Sequence, residues 1–386
     1  MPLGGKCDKM SRNRAEMEMK ERVLAGVERI LVIKLRQIGD VLLTVPTLRA
    51  IREKYPNGYI AVMVSAGTEA MLTGNPLINE VIVFDRSIVG DSFFRRIRKE
   101  VAFALNVRKK KFDLTIDLTS GDRPAILSFF SGARYRVGAD PLGKGFIGKR
   151  LLYTHCRLLE NTRAHMVEQN LEIVRQIGID TADRSVSFEI PEEALRTVQA
   201  LFLQRAVSES ALKVHLHPTS RWLFKCWRDD GVASLIDLLS EKYQAQILLT
   251  CGPNRPEEEK ARRIFDLSRF KPVDLIGKTT LKELAAVSKA SDLFIGVDSA
   301  PMHIAAAVGT PVVALFGPSG EHHWGPWGPG HRVVAKGMSC RPCGQAGCDN
   351  SKRSECLETL SVEEVWAAVQ DQLKRAVALK RAAQTG

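Results

Sequence analysis

Short runs of β-branched and aliphatic residues recur along the chain with helical patterns between them. In the first half, "RILVIKL" (29–35), "YIAVMV" (59–64), "EVIVFD" (80–85) and "FDLTIDL" (112–118) read as strands. Helices are expected at about 41–54, 91–109 and 121–131, where apolar positions recur every three to four residues. A further helical stretch, "AHMVEQNLEIVRQIG", and the polar "IDTADRSVSFEIPEEA" come next, and the pattern then restarts. In the second half "LKVHLH", "AQILLTC", "PVDLIG", "DLFIGVD" and "PVVALFG" are strand-like, each leading into a loop or a helix start. Thr280 and Glu283 form a capping box ahead of one such helix. The last segment, "SVEEVWAAVQDQLKRAVALKRAAQ", keeps a helical period with acid early and base late, which suits the helix dipole.

Strands that alternate with helices predict an α/β protein with parallel, doubly wound sheets. The restart predicts two of them. The expected organisation is a polar extension at 1–28, a Rossmann-like domain at 29–185, a second at 190–360, and a helix at 361–386 that packs back on the lobes. In such folds ligands bind outside the carboxyl ends of the strands, so the chemistry is expected there, in a cleft between the lobes.

Composition narrows the class. At 386 residues the chain exceeds one typical core. No apolar run approaches the roughly 18 to 20 residues needed to span a bilayer, and the charged start lacks a signal-peptide core. A cytoplasmic protein is therefore expected. Eight cysteines are few for this length and argue against a disulfide framework. A net charge of +12 implies an anionic partner without choosing among nucleic acid, membrane surface and phosphorylated substrate.

Three strand ends carry candidate chemistry. After the first strand, Arg36-Gln37-Ile38-Gly39-Asp40 places a carboxylate beside a glycine that would let the backbone turn closely. Asp40 serves equally well as a helix cap, worth about 1 kcal/mol, or as a base directed at a ligand. The second stretch is "HPTSRWLFKCW" (217–227), where Thr219 and Ser220 offer hydroxyls, Lys225 a point charge, and Trp222 and Trp227 apolar surface, a set suited to a diphosphate. The third is "FIGVDSAPMHIAAAVGTPVVALFGPS" (294–319), in which Asp298 precedes a helix start at Ser299-Ala300-Pro301. Small residues there open free backbone N–H groups to an anion. His303, in the first turn, is by default a structural histidine.

Familiar fingerprints are missing. No G-x-G-x-x-G follows the first strand, "GKGFIGKR" (143–150) lacks the Ser or Thr of a phosphate loop, and no Asp-x-Asp pair presents itself for a divalent cation. Basic residues gather in the first half, and Arg36, Arg95, Arg96, Arg134 and Arg136 are the candidates for meeting an anionic acceptor. Sparse aromatic residues among them argue against nucleic acid. Cys340, Cys343, Cys348 and Cys356 are close in sequence, but their spacing fits a zinc site loosely, and free thiols are the favoured reading.

With "ILVIKLRQIGDVLLTVPTLRAI", "HPTSRWLFKCW", "GVDSAPMHIAAAVGTPVVALFGPS" and "HMVEQNL" in view, the chain resembles glycosyltransferase family nine, the bacterial lipopolysaccharide heptosyltransferases, over about residues 29–370. The forms "IKLRQIGD", "RWLFKCW" and "CRPCGQAGCDNSKRSECL" look most like the branch that adds the third heptose of the inner core. The resemblance implies a GT-B fold and an ADP-heptose donor held mainly by the C-terminal domain. It also implies a lipid A-linked core acceptor held by the N-terminal domain at the inner-membrane surface, and inverting transfer without metal or other cofactor. By the same resemblance Asp40 matches the catalytic Asp, Lys225 the phosphate-binding Lys, and Thr219, Ser220, Asp298, Ser299, Ala300 and His303 the donor site. Cationic neighbours would keep Asp40 ionised. The spacing between Ser220 and Lys225 is longer and more aromatic than the family's. Two alternatives stand beside this reading: a GT-B enzyme using another nucleotide sugar or core acceptor, and a non-catalytic polyanion-binding protein.

Overall fold

The structure, a computed structural model, describes residues 24–85 and 93–385, with side chains described except at 93, 94, 96 and 376–385. The chain divides between Arg184 and Ser185 into two compact units.

In the first unit, β1 (Arg29–Lys34), β2 (Tyr59–Ser65), β3 (Glu80–Phe84), β4 (Leu114–Asp117), β5 (Tyr135–Ala139) and β6 (His155–Arg157) form one parallel sheet in the order β3-β2-β1-β4-β5-β6. In β1, Leu31 and Ile33 face one side and Ile30 and Val32 the other, and all four are fully buried. Helices cover both faces, which is why the strand reads as an unbroken apolar run. Each such side chain contributes about 1.5–3 kcal/mol by leaving water.

The second unit repeats the plan. Strands β7 (Lys213–His217), β8 (Gln246–Leu249), β9 (Val273–Asp274), β10 (Leu293–Val297), β11 (Val312–Phe316) and β12 (Arg332–Ala335) run parallel in the order β12-β11-β10-β7-β8-β9. Numbered within its own unit, this is the same 3-2-1-4-5-6 order. The order in which successive strands are laid down therefore reverses between β1 and β4 in one sheet and between β7 and β10 in the other. Those two reversal points are where a doubly wound sheet opens a crevice for ligand.

The long helix Val362–Thr385 lies on the second sheet, with Val365, Val369 and Leu373 fully buried in the core that contains Val214, Ile295 and Val313. Trp227 joins the same core, and its indole N–H donates to the carbonyl of Leu360 at 3.0 Å. Trp227 thus packs inward, contrary to the expectation of a ligand-facing indole.

Two local expectations also change. The helix expected at 41–54 is two helices, Ile38–Leu42 and Val45–Lys54, because Pro46 has no N–H to continue the first and is placed to start the second. Gly39 lies inside the first of these, buried and without positive φ, so the close turn expected there is not made. The capping box of Thr280 and Glu283 forms as expected, with both of its hydrogen bonds present.

Candidate functional site

The first reversal point is tied together by Thr119, which follows β4. Its hydroxyl accepts from the Leu35 N–H at 2.8 Å and donates to the Ile33 carbonyl at 3.2 Å. Its own carbonyl accepts from the Arg36 guanidinium at 3.0 Å. The loop after β1 is thereby held against the loop after β4, and the short helix that starts at Ile38 carries Asp40.

Asp40 is half-buried at the third position of that helix, and its carboxylate accepts from the backbone N–H groups of Gln37 and of Asp40 itself. Capping is therefore part of what it does. Burial raises its pKa above the ordinary carboxylate value; Lys34, then Arg36, pull the other way and do not cancel it. Lys34 and Arg36 thus favour the ionised form, as cationic neighbours should, but desolvation is the larger effect. A carboxylate whose pKa is lifted toward the working pH is a better general base than a surface aspartate.

Lys34 is the neighbour that sequence reading passed over. It ends β1 fully buried, with its ammonium donating to the Leu118 carbonyl at 2.9 Å and to the Asn170 side-chain oxygen at 2.9 Å. Burial lowers its pKa to about 8. Asn170, from the helix Met166–Arg175, donates in turn to the Leu43 carbonyl at 3.2 Å, just past the Asp40 helix. A lysine closing an apolar strand, and the asparagine within "HMVEQNL", were the available signals.

A second buried acid stands at the end of β4. Asp117 accepts from the Thr119 and Ser120 N–H groups at 2.7 and 3.1 Å and from the Tyr153 hydroxyl at 2.6 Å. Burial nevertheless raises its pKa, and it shapes the loop rather than facing a ligand. Lys149, also buried, donates to the Ser120 carbonyl at 2.9 Å.

The candidate acceptor arginines separate. Arg36 sits at the carboxyl end of β1, and Arg95 is exposed near the start of the helix Phe93–Lys109, on the same edge of the sheet. The side chain of Arg96 lies outside the described residues. Arg134 and Arg136 are at the amino end of β5, where Tyr135 pairs with Leu114 at the start of β4. That is the opposite edge from Asp40. Arg136 is moreover spent on the Leu152 and Ala133 carbonyls at 2.6 and 2.8 Å, while Arg134 lies over the Tyr135 ring. These two are withdrawn as acceptor contacts.

At the second reversal point, Lys225 from the short turn Leu223–Lys225 reaches across to Asp298 after β10, Nζ to Oδ2 at 2.6 Å. The pair joins the two loops that border the crevice. Asp298 leads into the helix Ala300–Ala307, whose cap Ser299 makes no side-chain cap bond, and Ser299 and Ala300 are half-buried there. His303 is buried in this helix, in keeping with its default structural reading.

Thr219 and Ser220 differ from the expectation of open hydroxyls. Thr219 is fully buried and accepts from the Gly252 N–H at 3.4 Å, while Ser220 accepts from the Trp222 N–H at 3.3 Å. Behind Thr219 runs a buried polar chain. Ser288 contacts His215 at 2.8 Å, and the Thr250 hydroxyl bridges His215 and His217 at 2.7 and 2.9 Å. His217 then faces Thr219 at 3.4 Å. Burial drops the His217 pKa to about 3, so the ring is neutral and only its tautomer orders these contacts.

Of the four clustered cysteines, Cys340 and Cys343 are exposed, Cys348 is half-buried and Cys356 is buried. Among the described residues no group of three or more metal-ligating side chains is assembled.

Two doubly wound units in tandem, each with polar side chains at its strand reversal, are the architecture of the GT-B glycosyltransferases. Residues 101–353 match the model of glycosyltransferase family 9 (heptosyltransferase), and the chain belongs to that family. The match begins downstream of Asp40. Lipopolysaccharide heptosyltransferase 3 of Escherichia coli K12 is 32% identical over 297 residues, spanning 76% of this chain and 83% of that protein. Among solved structures, a family 9 glycosyl transferase from Veillonella parvula superposes with a TM-score of 0.76 at 24% identity, covering 90% of this chain and 97% of that one. The E. coli ADP-heptose lps heptosyltransferase II does so with a TM-score of 0.70 at 20% identity, over 90% and 99%. The protein is a glycosyltransferase.

Proposed function

We propose that this enzyme transfers heptose from ADP-heptose to the inner core of lipopolysaccharide, at the position of the third heptose, with inversion at the anomeric carbon and without a metal. The donor and acceptor follow from what its relatives are named for, and the third position from the similarity to heptosyltransferase 3. Residues 29–185 are assigned the acceptor and residues 190–360 the donor.

Asp40 carries the reading: an acid with a raised pKa, positioned at the reversal point of the first sheet. The acceptor hydroxyl attacks the anomeric carbon and its proton passes to the Asp40 carboxylate. The bond from that carbon to the diphosphate oxygen breaks, and ADP leaves with the electron pair. One displacement with one base inverts the centre. Charge grows on the leaving diphosphate, where the Lys225 ammonium and the positive N-terminal end of the helix Ala300–Ala307 can stabilise it. Lys225 has three donor hydrogens, so it can keep Asp298 and still bond a phosphate oxygen. Arg36 and Arg95 would meet anionic groups on the acceptor, and the protein would work peripherally at the cytoplasmic face of the inner membrane.

The test is transfer in vitro. Purified protein, ADP-heptose and core acceptors carrying one, two or three heptoses are incubated with and without a chelator, and products are read by mass spectrometry. A gain of one heptose on the two-heptose acceptor alone, undiminished by chelator, is expected. Selective thermal stabilisation by UDP or GDP instead of ADP would refute the donor assignment.

A further inference from the structure

The first unit has a lopsided surface. Between residues 93 and 158 there are 15 Lys and Arg against 5 Asp and Glu, so this stretch holds +10 of the chain's +12. The same stretch displays large apolar side chains. On the helix Phe93–Lys109, Ile97, Val101 and Leu105 are exposed at successive i, i+4 positions. Beside it packs Asp122–Phe130, ending in exposed Phe130, and beside that the turn Lys149–Leu152. In and before this turn Ile147 is 103% and Leu151 81% accessible. Exposed Arg98, Lys99, Lys144 and Arg150 are interspersed among these groups. Three acids of the stretch are already paired: Glu100 with Arg123, Asp122 with Lys149 and Asp140 with Arg150.

Contiguous exposed apolar side chains rimmed by one sign of charge mark an interaction surface. A nucleic-acid groove would not need Ile147 and Leu151 held out into water, and a second copy of this chain would bring +10 against +10. Apolar tips among lysines and arginines match a bilayer whose headgroups are negative and whose acyl region takes the tips.

We infer that the face formed by Phe93–Lys109, Asp122–Phe130 and the turn at residues 142–151 docks on an anionic phospholipid surface, Ile147 and Leu151 entering it first. The turn is anchored by Lys149 to the Ser120 carbonyl at the carboxyl end of β4, so docking sets the membrane beside the candidate acceptor edge. This purpose, though not the surface chemistry, rests on the lipid-linked acceptor proposed above.

The experiment is flotation of the full-length protein with vesicles of phosphatidylcholine alone or mixed with phosphatidylglycerol. The wild type is expected to float only with the anionic mixture, less so at high salt. Lys144→Gln and Arg150→Gln should each weaken binding about fivefold, and Ile147→Ser with Leu151→Ser by tenfold or more with an unchanged melting temperature. Absence of wild-type flotation, equal flotation of the Ser variant, or a wild-type dimer that the Ser variant disperses would overturn the inference. Transfer to a soluble, deacylated acceptor is measured alongside. The Ser variant should retain it, whereas failure of the wild type there would defeat the proposed reaction and leave the docking result standing.

Discussion

Replacing Asp40 with Asn separates its capping from its proposed role as base. The amide oxygen can still accept from the Gln37 N–H, so the helix Ile38–Leu42 keeps its cap, but the side chain no longer takes a proton. A positioned base is worth about 10² to 10⁴ in rate, or about 3–5 kcal/mol in barrier, and that is the expected fall in kcat. Stability should move the other way. Burial raises the folded pKa of Asp40, so at neutral pH the charged form costs the fold something. That cost is absent below the unfolded value near 3.8, grows as pH rises through the folded value, and is complete above it. Asp40→Asn should therefore melt at least as high as wild type at pH 7 and lose the advantage in acid. In wild type, kcat/KM should fall as pH drops through the raised pKa, and this limb should vanish in the variant. Asp40→Ala also loses the cap, and should show the same rate loss with about 0.5–2 kcal/mol less stability. The assays are initial rates of heptose transfer and thermal melts across pH. An Asn variant that keeps more than a tenth of wild-type kcat would reduce Asp40 to a helix cap.

Lys225→Met should lower kcat by about 10² to 10³ and weaken ADP-heptose binding, read by transfer kinetics and calorimetry; wild-type values for both would remove the diphosphate contact. Because the Lys34 pKa is about 8 when folded and 10.5 when unfolded, the unfolded chain binds more protons between those values. The fold should thus gain about 3 kcal/mol from this group as pH rises from 8 to 10.5, a gain missing from Lys34→Met in urea titrations at both pH values. Tyr153→Phe deprives the buried Asp117 of its 2.6 Å bond and should cost about 1–3 kcal/mol in the same titrations; no measurable loss would show that Asp117 is already neutral or otherwise satisfied.

The apolar runs of "RILVIKL" and "DLFIGVD" are long enough, and bounded clearly enough, to be read as buried parallel strands, and two cycles of them imply two sheets. Asp40 and Asp298 follow these strands and Lys225 follows Lys213–His217, so the residues that come to stand at the two reversal points were legible as well. Edge strands such as His155–Arg157 were not, because three residues with one side in water leave little pattern.

Direction and depth were decided by the tertiary structure. Sequence distance does not say that Arg134 and Arg136 start a strand on the edge opposite Asp40, that Thr219 is sealed beneath Gly252, or that Lys34 meets Asn170 across 136 residues. Local composition determines which residues pack and which turn. Which charges lose water, and therefore which pKa values move, depends on strand register and on what covers each side chain, quantities that arise only when distant segments meet.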